Sequence, residues 1–183
     1  MVTIRPTKML ARQLGITLPK LPPPVPDRIA DWCAHSFATG DQNWLVFCNT
    51  TSLYAVFAKA DGVTDGESLA RRLGGMVLQV ITANGFSTQA RAFKAALTEY
   101  QWAPIPDRSV LGSINELIYL ADPLFDDPHL TPGSLAERVS NAPMSAIGMN
   151  SPKKVFARMG TQPETEGRIH RQSLRQVGPF SSQ

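Results

Sequence analysis

The period of the apolar positions changes about a third of the way along the chain. In the first third they gather in short runs rich in aromatic and β-branched residues. Val2 to Ile4 predicts a brief opening strand. Pro6 suits the first turn of a helix over residues 7–14, which Gly15 closes. Residues 32–37, 43–48 and 52–57 each predict a strand. Asn49, Thr50 and Thr51 separate the last two, and Asn tolerates positive φ, so residues 44–57 read as a β-hairpin. Apolar residues nearly fill both of its strands, which predicts a sheet covered on both faces.

From residue 64 the spacing becomes helical. Thr64-Asp65-Gly66-Glu67 has the form of a capping box, in which a hydroxyl and a carboxylate satisfy orphan amides reciprocally. Leu69, Leu73, Met76, Val77, Val80 and Ile81 follow at intervals of three and four. Asn84-Gly85 marks the stop. A second helix runs from Ser87, with Ala90, Phe93, Leu97 and Tyr100 as its stripe, and ends before Pro104. A third begins at Arg108-Ser109, with Ser109 as its cap. Val110, Ile114, Leu117, Ile118 and Ala121 form its apolar face, and Asn115, Tyr119 and Asp122 a polar row. Thr131-Pro132 opens a fourth, short helix. Strands first and helices afterwards predict an α+β fold: a small, mainly antiparallel sheet packed by three or four helices. The expected organisation is one domain over residues 1–150 and a basic C-terminal tail over residues 151–183, of which Val155, Phe156 and Met159 have the spacing of one helical turn packed on the body, with order expected to about Gly160. Residues 18–26, with five prolines, read as a stiff connector.

Composition adds limits. At 183 residues, 43% hydrophobic and 18% charged, the chain has the makings of one folded domain and is too apolar to be disordered. It has no apolar run of spanning length, and no apolar segment of the kind a secretory signal needs. The expectation is a cytoplasmic protein without a membrane span. The net charge of +3 is unevenly placed. Residues 151–183 carry six basic side chains (Lys153, Lys154, Arg158, Arg168, Arg171 and Arg175) against Glu164 and Glu166, a balance of +4. The body is then −1, with 12 basic and 13 acidic residues. A basic tail attracts phosphate or an acidic protein surface.

The chemistry-bearing residues are sparse. Cys33 and Cys48 are the only cysteines, and with His35, His129 and His170 they show no metal-ligand spacing, so neither metal nor cofactor is predicted. Cys33 and His35 fall on one face of a strand, the one arrangement suggestive of a nucleophile and base. No phosphate loop, dinucleotide fingerprint or nucleophile elbow is present. Asp126 and Asp127 are adjacent and do not converge on one point.

Two stretches resemble the signatures of an uncharacterised bacterial domain family that also occurs on mobile elements. Residues 108–116, Arg-Ser-Val-Leu-Gly-Ser-Ile-Asn-Glu, resemble R-S-V-L-G-S-(M/L/I)-N-(D/E). Residues 141–148, Asn-Ala-Pro-Met-Ser-Ala-Ile-Gly, are similar to T-P-M-S-(A/P)-I-G, with Asn141 where Thr is common. The resemblance covers residues 1–150 and implies no particular activity. It marks Arg108, Ser109, Gly112, Ser113, Asn115, Glu116, Asn141, Met144 and Ser145 as the central motif. One reading has Gly112 and Ser113 admitting the backbone of the 141–148 loop. The other has Arg108, Ser109, Ser113 and Asn115 surrounding an anion at the helix start. Three function classes remain. The leading one is a non-catalytic interaction protein with a protein partner, in defence, counter-defence or toxin control, with self-association also open. The others are nucleic-acid binding through the tail and an enzyme with a site near Arg108.

Overall fold

The structure is a computed structural model that describes residues 1–20 and 27–160. Most of the proline run (residues 21–26) and the tail beyond Gly160, with Arg168, Arg171 and Arg175, lie outside the described residues. The fold is α+β. Five strands form one mixed sheet: β1 Val2–Pro6, β2 Asp31–Thr39, β3 Gln42–Asn49, β4 Ala55–Lys59 and β5 Tyr100–Trp102. Their order is β4-β3-β2-β1-β5. β2, β3 and β4 make an antiparallel meander, the larger part of the sheet. β1 joins it in parallel with β2 and carries β5, also parallel, on its other side.

Both faces of the sheet are covered, as the filled strands predict. On one, Ile4, Trp32, Ala34, Leu45, Phe47 and Val56 pack under α2 (Gly66–Ala83) and α3 (Ser87–Ala96). α1 (Lys8–Gln13) contributes Leu10, and α6 (Pro152–Arg158) contributes Phe156. On the other, Cys33, Val46, Cys48, Ala55 and Phe57 meet Ile114, Leu117 and Ala121 of α4 (Arg108–Ala121). α5 (Pro132–Ser140) feeds both layers, with Ala136 in the first and Leu135 and Val139 in the second. It also shields the β4 edge, where the Ala55 amide donates to Ser140 Oγ at 3.2 Å. A shielded edge offers no template for pairing with another chain.

Several local expectations shift. The capping box of α2 lies one residue later than Thr64 and Glu67 suggested. Asp65 accepts from the Ser68 amide at 2.8 Å, and Ser68 Oγ accepts from the Asp65 amide at 3.1 Å. The α4 cap is Asp107, not Ser109: its carboxylate takes the Ser109 amide at 2.9 Å. In both places an aspartate, one residue after Thr64 and two before Ser109, offers the same acceptor and adds a charge that favours the helix start. The hairpin turn uses the Asn49 side chain, which accepts from the amides of Thr51 and Ser52, while Leu53 takes the positive φ of 62°. Tyr100 belongs to a strand, because α3 ends at Ala96 and residues 100–102 pair with β1.

The first core also reaches beyond residue 150. Phe156 is fully buried, stacked on Tyr54 at 4.9 Å between centroids and edge-on to Trp32 at 5.9 Å. Gln89 Nε2 donates to the carbonyls at the end of α6, Ala157 at 2.9 Å and Met159 at 2.8 Å. The first turns of the segment read as an extension are therefore part of the globular unit.

Candidate functional site

α4 sorts the central motif into two groups. Ser113, Ile114, Leu117 and Ala121 face the sheet and are buried. Arg108, Ser109, Gly112, Asn115 and Glu116 are all exposed. So is Tyr119, with 79% of its surface open to solvent. Residues 108, 112, 115 and 119 recur at intervals of four, three and four, which places them on one helix face. Ser109 and Glu116 flank that line. Arg108, Asn115 and Glu116 make no side-chain hydrogen bond or ion pair among the described residues.

Neither reading of the motif finds its geometry. A Cβ built on Gly112 would meet nothing within 4 Å among the described residues, so none of their backbone approaches there. The 141–148 loop is instead closed on itself. Met144 anchors it in the second core, and its amide donates to the Asn150 carbonyl at 3.0 Å. Asn141 ends α5, and Ser145 opens a short exposed 3-10 turn. An anion at the helix start would compete with Asp107, whose carboxylate already takes the Ser109 amide. Ser113 points away from that point and donates to the Ser109 carbonyl at 3.2 Å. Arg108, Ser109, Ser113 and Asn115 thus do not converge on one centre.

The other candidates are held within the fold. Cys33 and Cys48 stand opposite each other on β2 and β3, both reduced and fully buried. Burial, helped by the neighbouring Asp31 charge, pushes the Cys33 thiol up to about 12, and burial raises Cys48 as well. A thiol so raised is neither nucleophile nor ready metal ligand at neutral pH. His35 lies beside Thr7, Nδ1 to Oγ1 at 3.3 Å, and burial lowers its pKa. Asp127 accepts from the His129 amide at 3.0 Å and lies 3.9 Å from Arg138. Among the described residues, no three His, Cys, Asp or Glu side chains are grouped to hold a metal ion.

Of the basic residues assigned to a partner, Lys153 is paired with Glu137, while Lys154 and Arg158 are exposed. A shallow polar depression of about 520 Å³ lies along α2, between Gly62, Arg71, Arg72 and Gln79. The Arg72 guanidinium there is committed to the carbonyls of Lys59 and Asp61. No helix among the described residues is long and apolar enough to cross a membrane.

What sequence reasoning missed is the degree of exposure. The polar row naming Tyr119 was the available signal, but the opposition of Gly112 and Tyr119 to the buried stripe emerges only once the α4 face is placed.

A family model described as Domain of unknown function (DUF6933) matches residues 3–155, and the chain belongs to that family. The match agrees with the resemblance to an uncharacterised domain and with the span it covered. A search of curated proteins finds no match.

Proposed function

We propose that this family member is a non-catalytic interaction protein that binds a protein partner through the exposed face of α4. The observation that carries the reading is Tyr119, an aromatic residue 79% open to solvent in line with Arg108, Gly112 and Asn115. Tyr and Arg are enriched at interface hot spots, because each combines contact area with directional hydrogen bonding. The face has no competing role in the fold, since the opposite side of α4 supplies the packing. The cytoplasm suits two reduced, buried thiols. Defence, counter-defence or toxin control is the setting proposed for it.

The test is site-specific photocrosslinking in the native host. A photoreactive phenylalanine at position 119 or 115 should capture the same protein, and one at Arg91, exposed on α3, should not. Equal capture at all three positions, or none, overturns the reading. A second reading, nucleic-acid binding, is supported by the +4 balance of residues 151–183. It predicts binding that weakens steeply with salt and is lost when Lys154, Arg168, Arg171 and Arg175 are replaced by glutamine.

A further inference from the structure

We infer that the partner on the α4 face is a second copy of this chain, docked antiparallel about a two-fold axis at Gly112. The inference rests on the reading above and adds the identity of the partner.

In an antiparallel helix pair with its two-fold axis level with residue 112, a residue n positions before Gly112 lies level with the second copy's residue n positions after it. Arg108 is therefore level with Glu116 of the second copy, each about 6 Å along the axis from the centre at 1.5 Å per residue. Ser109 is level with Asn115. At 100° per residue, Arg108 and Asn115 share one flank of the Gly112 line, and Ser109 and Glu116 share the other. The two-fold operation places each Arg108 beside the second copy's Asn115 and across the seam from its Glu116. It places each Ser109 hydroxyl beside the second copy's Glu116 carboxylate. Each of these four polar groups meets a complementary one, and each contact occurs twice, as an isologous interface requires. The face carries one positive and one negative charge, so two copies meet without net repulsion.

Gly112 fits the same arrangement. Glycine in a helix interior is unfavourable relative to alanine. Nothing among the described residues of the monomer requires it, because a Cβ there meets none of them within 4 Å. At the centre of a helix crossing, its missing side chain lets two backbones approach closely. Tyr119, one turn past Glu116, extends beyond the crossing toward the segment before the second copy's α4, where Ile105 and Pro106 lie.

Sedimentation equilibrium of the full chain tests this, with far-UV melting to verify folding. The wild type should dimerise. Arg108→Glu and Glu116→Arg should each weaken association by about tenfold or more, because each reversal sets like charges together twice. Joining the two reversals in one chain should restore it. Gly112→Leu should abolish the dimer while melting no lower than the wild-type monomer. A wild-type monomer at several hundred micromolar overturns the inference; so does a dimer indifferent to these variants or not restored by the double reversal. Capture of a different protein at positions 115 and 119 by a monomeric chain would remove the second copy and keep the interaction reading. No position-specific capture at all would remove both.

Discussion

Arg5 and Asp31 form a buried ion pair, Nε to Oδ1 at 2.7 Å, between the two parallel strands at the centre of the sheet. Each charge makes a further hydrogen bond. Arg5 Nη1 donates to the Pro104 carbonyl at 2.6 Å, and Asp31 Oδ2 accepts from Thr50 Oγ1 at 2.9 Å. The pair thereby ties β1 and β2 to the segment after β5 and to the β3–β4 turn.

Breaking this pair from one side should be costly. Asp31→Ala leaves a guanidinium buried without its counter-charge, and the expected loss is about 3–5 kcal/mol in urea unfolding. Arg5→Met with Asp31→Leu removes both charges and should lose far less than the two single changes together. A double variant that loses the full sum would mean that the two side chains act independently.

The two buried thiols should resist modification. In the folded protein neither should react with a disulfide reagent at pH 8, and both should react once the chain unfolds. The raised thiol values also bear on stability. The unfolded chain ionises Cys33 near its ordinary 9.0, while the fold keeps it protonated to about 12. Tyr54 moves the same way, from 10.0 to about 12, chiefly through burial. Their contribution is therefore complete below about pH 9 and is lost as the pH climbs toward 12. Stability that is flat from pH 8 to pH 11 would contradict this.

His35 predicts the acid side. Burial lowers its pKa from the ordinary 6.5, so the unfolded chain binds its proton first as the pH drops. The stability it contributes is complete above about 6.5 and is lost as the pH falls through the lower folded value. A carbon-bound proton titration by NMR should place His35 below the ordinary 6.5. His35→Gln should flatten the loss of stability between pH 6.5 and pH 5.

What the sequence makes legible is what local periodicity controls. α2, α4 and α5 are visible because three- and four-residue spacing writes each buried face into neighbouring positions, as with Leu69, Leu73, Val77 and Val80. The hairpin is visible because a meander pairs sequence neighbours. β5 is not: Tyr100–Trp102 is three residues long, and its partner Val2–Ile4 lies almost 100 positions away. The parallel join of β1 to β2 is hidden for the same reason. Arg5 reads as a polar residue after a short strand, and only the fold supplies the Asp31 and Pro104 acceptors that bury it. At the candidate site, the motif residues could be named in advance. Their separation into a buried Ser113 and an exposed Arg108, Gly112, Asn115 and Glu116 follows from which side of α4 meets Cys48 and Phe57.

Gly74 and Gly75 should respond differently to substitution. A Cβ on Gly75 meets nothing within 4 Å, so Gly75→Ala should stabilise by roughly 0.5–1 kcal/mol through helix propensity alone. A Cβ on Gly74 would stand 2.9 Å from Leu97 Cδ2, at the end of α3. Gly74→Ala gains the same propensity but forces Leu97 to shift within the first core. Urea midpoints should rank Gly75→Ala above the wild type and Gly74→Ala below Gly75→Ala. The reverse order of the two variants would mean that the α2–α3 contact is looser than its geometry.

The last prediction concerns where the domain ends. Phe156 is fully buried among Trp32, Tyr54 and Phe86, with three ring contacts of 5.9 Å or less. Removing the ring leaves a cavity in the first core and takes away the stacked face of Tyr54, so Phe156→Ala should cost about 3–5 kcal/mol. Gln89→Leu should cost less, about 1–3 kcal/mol, because it strips donors from the α6 carbonyls and keeps the apolar contacts. Chains ending at Gly160 and at Asn150 separate the structural part of this segment from the rest. The longer should melt with the full chain, since it retains every core contact described for α6. The shorter loses Phe156 and should melt far lower or not fold. If both truncations melt with the full chain, α6 is not part of the domain, whatever its packing.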